Sequence, residues 1–314
     1  MSGRKAARKV AIVTDSTAAL TPDVLAQFVS HDRGDVLKGI ELVVVPLTVH
    51  GTEGDYWENI DITAHDVVSA LQDGEKLTTS RPAPDRFLDE YTKLARAGVD
   101  AVLSIHISKE LSGTYDAAVK AAQKSPIPVT VIDSRTTGMV LGFGIIAAAA
   151  EFTFQQRPVD QQIDRAAHSA KNVIDGTNVL FYVDTLEYLH RGGRISSVSA
   201  LLGTALAVKP LLAIKDGRIT LSEKVRTRGR ALDRLVERTV AALHAASEET
   251  SESRQSFNLA IQHMGALKTA EKVRDLVLEQ AGEQVETCVI ANAGAVLGVH
   301  AGPGVVATIV SPVP

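Results

Sequence analysis

An α/β fold of two domains is predicted, the first a mostly parallel sheet with helices on both faces and the second a mixed sheet that includes a hairpin. Three observations predict it. Short apolar runs alternate with helical patterns from residue 10 onward, which is the signature of parallel strands joined by crossover helices. Several runs, such as Val10–Thr14 (VAIVT), are apolar almost throughout, as strands covered on both sides are. Finally, Leu211–Leu221 (LLAIKDGRITL) holds Asp216-Gly217 between two β-prone runs, a type I′ hairpin signal. A chain of 314 residues, 45% hydrophobic and 22% charged, suits two domains. The boundary is placed in Gln155–Asp160, where Arg157-Pro158 interrupts the helical pattern, giving domains 1–158 and 159–314.

The elements follow in order. MSGRKAARKV carries positive charge but no apolar core with a cleavage site, so it reads as a short tail rather than a leader. Val10–Thr14 is a strand, and Asp15-Ser16-Thr17 is its polar exit before a helix begun by Pro22. Glu41–Val49 is a strand that Pro46 demotes to an edge or a bulge. The excursion Gly51–Thr63 contains Trp57, as a lid or a loop anchor, and ends in a capping signal for the helix Ala64–Gln72. Leu77–Pro84 (LTTSRPAP) is a hydroxyl-rich segment stiffened by two prolines. It leads to the helix Asp85–Ala97 and the strand Ala101–Ile107.

Pro128–Ile132 is the next strand, and Asp133-Ser134 its polar exit. Gly138–Phe154 is an apolar helix, whose Gly142, Gly144 and Ala147 match G-x-G-x-x-A but lie inside the helix rather than in a strand-to-helix turn. There they fit close approach by a neighbour better than a nucleotide. In the second half, Val159–Ile174 is an amphipathic helix and Val179–Val183 a strand. Asp184–Ser196 (DTLEYLHRGGRIS) ends a helix at Gly192-Gly193. Leu201–Val208 is apolar packing material for a core or a tunnel. The basic stretch from Lys224 to Arg234 is read as a solvated helix face, and Glu248–Ser256 as a polar loop. A βαβ unit closes the fold, with strands Phe257–Gln262 and Glu286–Ala291 around the helix Leu267–Ala281. Val296–Gly304 (VLGVHAGPG) is read as a strand end and loop carrying His300.

Composition excludes several function classes. A net charge of −4 and a pI near 6.1 offer no broad footprint for nucleic acid. The single Cys288 rules out an internal disulfide or a thiolate metal cluster, and suits a core position in a reducing cytoplasm. Met139–Ala150 is the longest apolar run and is far shorter than the ~20 residues a bilayer takes, so stable membrane insertion is not expected. No H-E-x-x-H and no G-x-x-x-x-G-K-[ST] occurs, which removes the usual signatures of a zinc hydrolase and a P-loop enzyme.

The candidate site centres on Ile107–Val119 (ISKELSGTYDAAV), where Ser112, Gly113 and Thr114 stand at a strand-to-helix junction. Two readings are open. The first turn of a helix presents unpaired N–H groups that suit a carboxylate or phosphate, or else Ser112 simply caps its own helix. Asp15, Ser16 and Thr17 leave their strand in the same way and can face the same crevice. Arg191 and Arg194 flank the glycine pair, either to fork onto a phosphate or partner or to complement a helix C-terminus. His300 lies among glycines that allow close approach of a ligand. A hydrolase built on Ser112, His300 and Asp15 is the competing arrangement, although no G-x-S-x-G elbow is present.

The pieces VTDST (13–17), TSRP (79–82), LSGTY (111–115), IDS (132–134), LHRGGRIS (189–196), KPLL (209–212) and HAGPG (300–304) occur in this order and spacing. With them the chain resembles the DegV family of bacterial proteins over almost its whole length. The resemblance implies a long-chain fatty acid bound between the two domains, no cofactor and no catalysis by the chain itself. It also implies a role as the fatty-acid-binding subunit (FakB-like) that presents the carboxylate to an ATP-dependent fatty acid kinase. Position by position, it implies that Thr79, Ser112 and His300 hold the carboxylate. Ser16, Gly113, Thr114 and Gly302 would support the pocket, with Arg191 and Arg194 near the kinase or the transferred phosphoryl group. One departure is Arg81, where the family often has Gln. Burial of about fifteen methylenes at roughly 0.8 kcal/mol each would give ~12 kcal/mol before association costs.

Overall fold

A computed structural model of the chain describes residues 9–28, 40–152, 158–195, 209–248 and 256–313. Most of the expected tail, the first half of the boundary segment, the run Leu201–Val208 and most of the loop Glu248–Ser256 lie outside the described residues.

The first sheet has the order β2-β1-β6-β7 and is parallel throughout, formed by β1 (Val10–Asp15), β2 (Glu41–Val45), β6 (Ala101–His106) and β7 (Val129–Asp133). Its apolar strands sort their side chains by period two. Ile12, Leu103 and Ile105 pack against α5 (Met139–Glu151) and α6 (Val159–Asp175), while Ala11, Val13 and Val102 meet α3 (Pro84–Arg96) and α4 (Thr114–Ala122). Helices on both faces account for the continuous apolar runs. Helix α6 opens the second half of the sequence but packs with the first sheet through Ile163, Ala166 and Ala170. Its Val173 and Ile174 reach the apolar cluster between the sheets.

Pro46 divides the expected strand Glu41–Val49. β2 becomes the edge of the first sheet, while β3 (Thr48–His50) starts a separate antiparallel sheet with β4 (Asp55–Trp57) and β5 (Thr78–Ser80). Trp57 is an anchor rather than a lid, because the Arg86 guanidinium on α3 sits 4.1 Å from its ring centre. Thr63 begins α2 (Ala64–Gln72) with a full capping box.

The second sheet is mixed, in the order β10-β9-β8-β13-β11-β12. Its members are β8 (Asn178–Tyr182), β9 (Lys209–Lys215), β10 (Arg218–Val225), β11 (Phe257–His263), β12 (Val285–Asn292) and β13 (Val306–Pro312). β11 and β12 are parallel around α9 (Leu267–Ala281), as the βαβ pattern predicts. Asp216 (φ 52°) and Gly217 (φ 80°) turn the β9–β10 hairpin with both residues at positive φ. On α8 (Arg228–Glu248), Arg234 is engaged by Glu223 and Glu237, as a solvated face would be.

Two expectations about the end of the chain are corrected. Residues Ala295–Ala301 form a helix, α10, rather than a strand end and loop. Gly294 (φ 92°) turns the chain into it, and a Glu58 carboxylate oxygen accepts the Val296 N–H at 2.8 Å. The second is β13, a strand beyond those expected. It lies inside the sheet, antiparallel to both β8 and β11.

Inside α5, a Cβ on Gly142 would stand 2.8 Å from the Ala18 carbonyl, and one on Gly144 2.7 Å from Ile174. These glycines serve close packing, not a nucleotide turn. Among the described residues no helix is long and apolar enough to cross a membrane.

Candidate functional site

A cavity lies between the second sheet and the elements carried by the first half of the chain. Its volume is ≈ 130 Å³. On the same measure one water needs ~10–15 Å³, so protein side chains leave a substantial gap here. The register of the sheet makes its floor. Phe181 on β8 stands opposite Ala307 on β13, which stands opposite Gln262 on β11, and all three line the cavity. The small Ala307 between larger neighbours hollows the sheet at that point. Leu47, Ile107, Leu189, Ile219 and Val296 close much of the rest.

One part of the wall is polar. Pairing of Thr79 on β5 with Val49 on β3 brings Thr79 to the last turn of α10, where its Oγ1 meets His300 Nε2 at 2.7 Å. Ser112 arrives from the β6–α4 turn, whose Ser112 N–H donates to the Ser108 carbonyl at 2.9 Å. It does not cap α4. Gly113 is the N-cap, no side chain bonds there, and Ser112 Oγ is paired with Thr114 Oγ1 at 2.8 Å. Arg194 ties the two regions together, donating from Nε to the Leu111 carbonyl at 3.1 Å and from Nη1 to the Gly192 carbonyl. Arg81 lies over Gly113 so closely that a Cβ there would fall 2.2 Å from its Nη1. Gly192 is needed likewise, since a Cβ would fall 2.2 Å from His300 Nδ1.

Thr79, Ser112, His300 and Arg194 therefore share one cavity, together with Arg81. The other sequence candidates lie outside its lining. Ser16 is buried and accepts the Leu47 N–H at 3.0 Å. Gly113 and Thr114 support Arg81 and Ser112 from behind. Gly302 (φ 80°) ends α10 where any Cβ would strike the Tyr188 ring. Arg191 is exposed, pairs with Glu187 at 3.1 Å and sits 5.2 Å over Tyr188.

Asp15 is likewise elsewhere. It is fully buried, accepts from Thr17 and the Ile107 N–H, and contacts His106 Nδ1 at 3.0 Å. His106 in turn reaches Ser104, which meets Tyr91. The hydrolase arrangement of Ser112, His300 and Asp15 is not formed, because Ser112 pairs with Thr114 and Asp15 serves a different histidine. Cys288 is no nucleophile either, its thiol pushed up to about 11 chiefly by burial.

The charge balance favours an anion. Two guanidinium groups and no carboxylate are among the lining residues. His300 is held down to about 4, first by desolvation and then by the Arg194 charge. It is therefore neutral above that value, and its Nδ1 has no protein partner. Burial also lowers Arg194.

A pH effect on stability follows. The depressed folded value means that the His300 contribution is complete above about 6.5 and is lost as pH falls through about 4. The loss amounts to about 3 kcal/mol. Thermal unfolding of the ligand-free chain against His300→Gln is expected to show the gap narrowing across that window, and a constant gap would contradict it. Among the described residues no cluster could hold a metal ion.

Gln262, Thr137 and Arg81 line the cavity and were not predicted as site residues. The available signal for Gln262 was a polar residue inside a strand (FNLAIQH) that is buried along its whole length. Thr137 lies in the polar exit of β7.

Comparison with known proteins agrees with this architecture. The family model described as "Uncharacterised protein, DegV family" matches residues 9–313. A DegV domain-containing protein of Streptomyces coelicolor is 39% identical over 304 residues, covering 97% of this chain and 99% of the relative. A DegV family protein of Thermus thermophilus, described for its fatty acid binding, has a similar structure with a TM-score of 0.80 at 30% identity, covering 97% of this chain and all (100%) of that one. DegV of Bacillus subtilis, described as a fatty acid binding protein, gives 0.79 at 27% identity, covering 98% and 100%.

Proposed function

This chain belongs to the DegV family, and from that premise we propose that it binds a long-chain fatty acid between its two domains, 1–158 and 159–314, and presents the carboxylate to a partner kinase. The observation that carries the reading is an apolar cavity whose one polar wall gathers Thr79, Ser112, His300 and Arg194 without any lining carboxylate. The tail supplies affinity by leaving water. The polar wall supplies orientation.

In detail, Thr79, Ser112 and the His300 imidazole receive the carboxylate. Thr79 and His300 exchange their mutual bond for bonds to the ligand, and Ser112 turns from Thr114. An anion beside His300 opposes the causes that hold its pKa down, so binding takes up a proton and tightens as pH falls toward the range where the fatty acid itself is protonated. The chain supplies no covalent step and no cofactor. ATP chemistry is assigned to a fatty acid kinase in the same cytoplasm, with exposed Arg191 at the contact and Arg194 near the head group. Ser16, Gly113, Thr114 and Gly302 hold the surrounding loops.

Native mass spectrometry of the chain as purified, followed by lipid extraction, tests the reading directly. A bound mass equal to a long-chain fatty acid is the expected result. A chain that carries none, and takes up none when offered, is inconsistent with it. For the kinase step, Arg191→Ala is expected to keep its lipid while acyl phosphate formation with the partner and ATP falls about tenfold, as loss of an interface arginine commonly does. Unchanged turnover would remove Arg191 from the contact.

A further inference from the structure

Two hydrogen-bonding groups on the cavity wall have no protein partner, and they come from other elements than the head-group residues, the segment after β7 and the strand β11. They are Gln262 Nε2 and Thr137 Oγ1. Gln262 is 5% exposed. Its orientation is fixed, because Oε1 accepts the Met139 N–H at 2.9 Å, which makes the oxygen the bound end and leaves the amide N–H groups free. The backbone is shaped to permit this. Gly138 is at φ 66°, and a Cβ there would fall 2.4 Å from Gln262 Oε1. Thr137 is the neighbouring residue, so a donor and a hydroxyl border the same apolar space.

A plain hydrocarbon tail would leave both groups dry and unpaired, at a cost of roughly tenfold in an equilibrium constant for each. A ligand with an oxygen along its chain would satisfy them. A carbonyl accepts from Gln262 and from the Thr137 hydroxyl, and a hydroxyl accepts from the amide while it exchanges a bond with Thr137. Resting on the fatty acid reading above, we propose that Thr137 and Gln262 form a second polar subsite and that the preferred ligands are long-chain acids carrying a hydroxyl or oxo group on the chain.

The test uses the delipidated full chain and displacement of a fluorescent fatty acid by palmitic acid and by its monohydroxy positional isomers. At least one isomer is expected to displace the probe at about tenfold lower concentration than palmitic acid. That advantage should shrink to within about twofold in Thr137→Val and in Gln262→Leu. Equal potency of palmitic acid and all isomers overturns the subsite, since that is what water bound to the two groups would give. An advantage that survives both substitutions overturns it as well. Should Gln262→Leu fail to fold, the isosteric Thr137→Val decides alone. Failure of the fluorescent fatty acid and palmitic acid to bind at all is a different result, which removes the fatty acid reading and the subsite with it.

Discussion

His300→Ala is expected to weaken fatty acid binding by roughly 10- to 100-fold, the range set by losing one hydrogen bond to a charged group. The imidazole is enclosed, kept neutral by desolvation and in contact with Thr79, so its removal takes away one polar contact to the carboxylate. Ser112→Ala should cost less, because Ser112 already has Thr114 as an alternative partner. Displacement of a fluorescent fatty acid at several pH values measures both effects. Tightening of the native chain as pH falls should be absent in His300→Ala. Equal affinity and equal pH dependence in the two would show that the carboxylate is held elsewhere.

Ala307→Phe is expected to have the larger effect, on the tail rather than the head. Ala307 occupies the low point between Phe181 and Gln262 on the sheet floor, and a phenyl ring there would fill room for about four methylenes. At roughly 0.8 kcal/mol each the loss is ~3 kcal/mol, a hundredfold or more in affinity. Native mass spectrometry should find the variant without lipid, while its ligand-free thermal midpoint stays at or above that of the parent because an existing void has been filled. A variant that still carries a long-chain acid would place the tail outside this cavity.

Much of the fold was legible because its signals are local. The Asp216-Gly217 turn, the capping box at Thr63, the edge position of the strand before Pro46 and the parallel first sheet all follow from short patterns. Helix α10 was hidden because AVLGVHA is apolar with an internal glycine, and shows neither a polar face nor a standard cap. What makes it a helix is distant: buried Glu58 accepts its Val296 N–H, and Gly298 lets Met264 approach. Ser112 shows the limit of local reasoning. Its position allowed a cap as readily as an anion seat on sequence grounds, yet the Ser108 carbonyl holds its backbone and Thr114 its hydroxyl. The meeting of Thr79, Ser112 and His300 depends on β3–β5 pairing and on where α10 sits. No spacing within one segment encodes it. Thr137 and Gln262 escaped for the same reason, each unremarkable until the other half of the wall is present.

The position of β13 bears on how the protein is made. It joins β8 to β11 and follows both in the chain, so the two halves of the six-stranded sheet stay unconnected until residue 312 has left the ribosome. Until then β8 and β11 expose open edges, which are prone to pair with other chains. A nascent protein halted just short of β13 would be a client for chaperones, and the cavity, whose floor includes Ala307, could not exist before synthesis has passed that point.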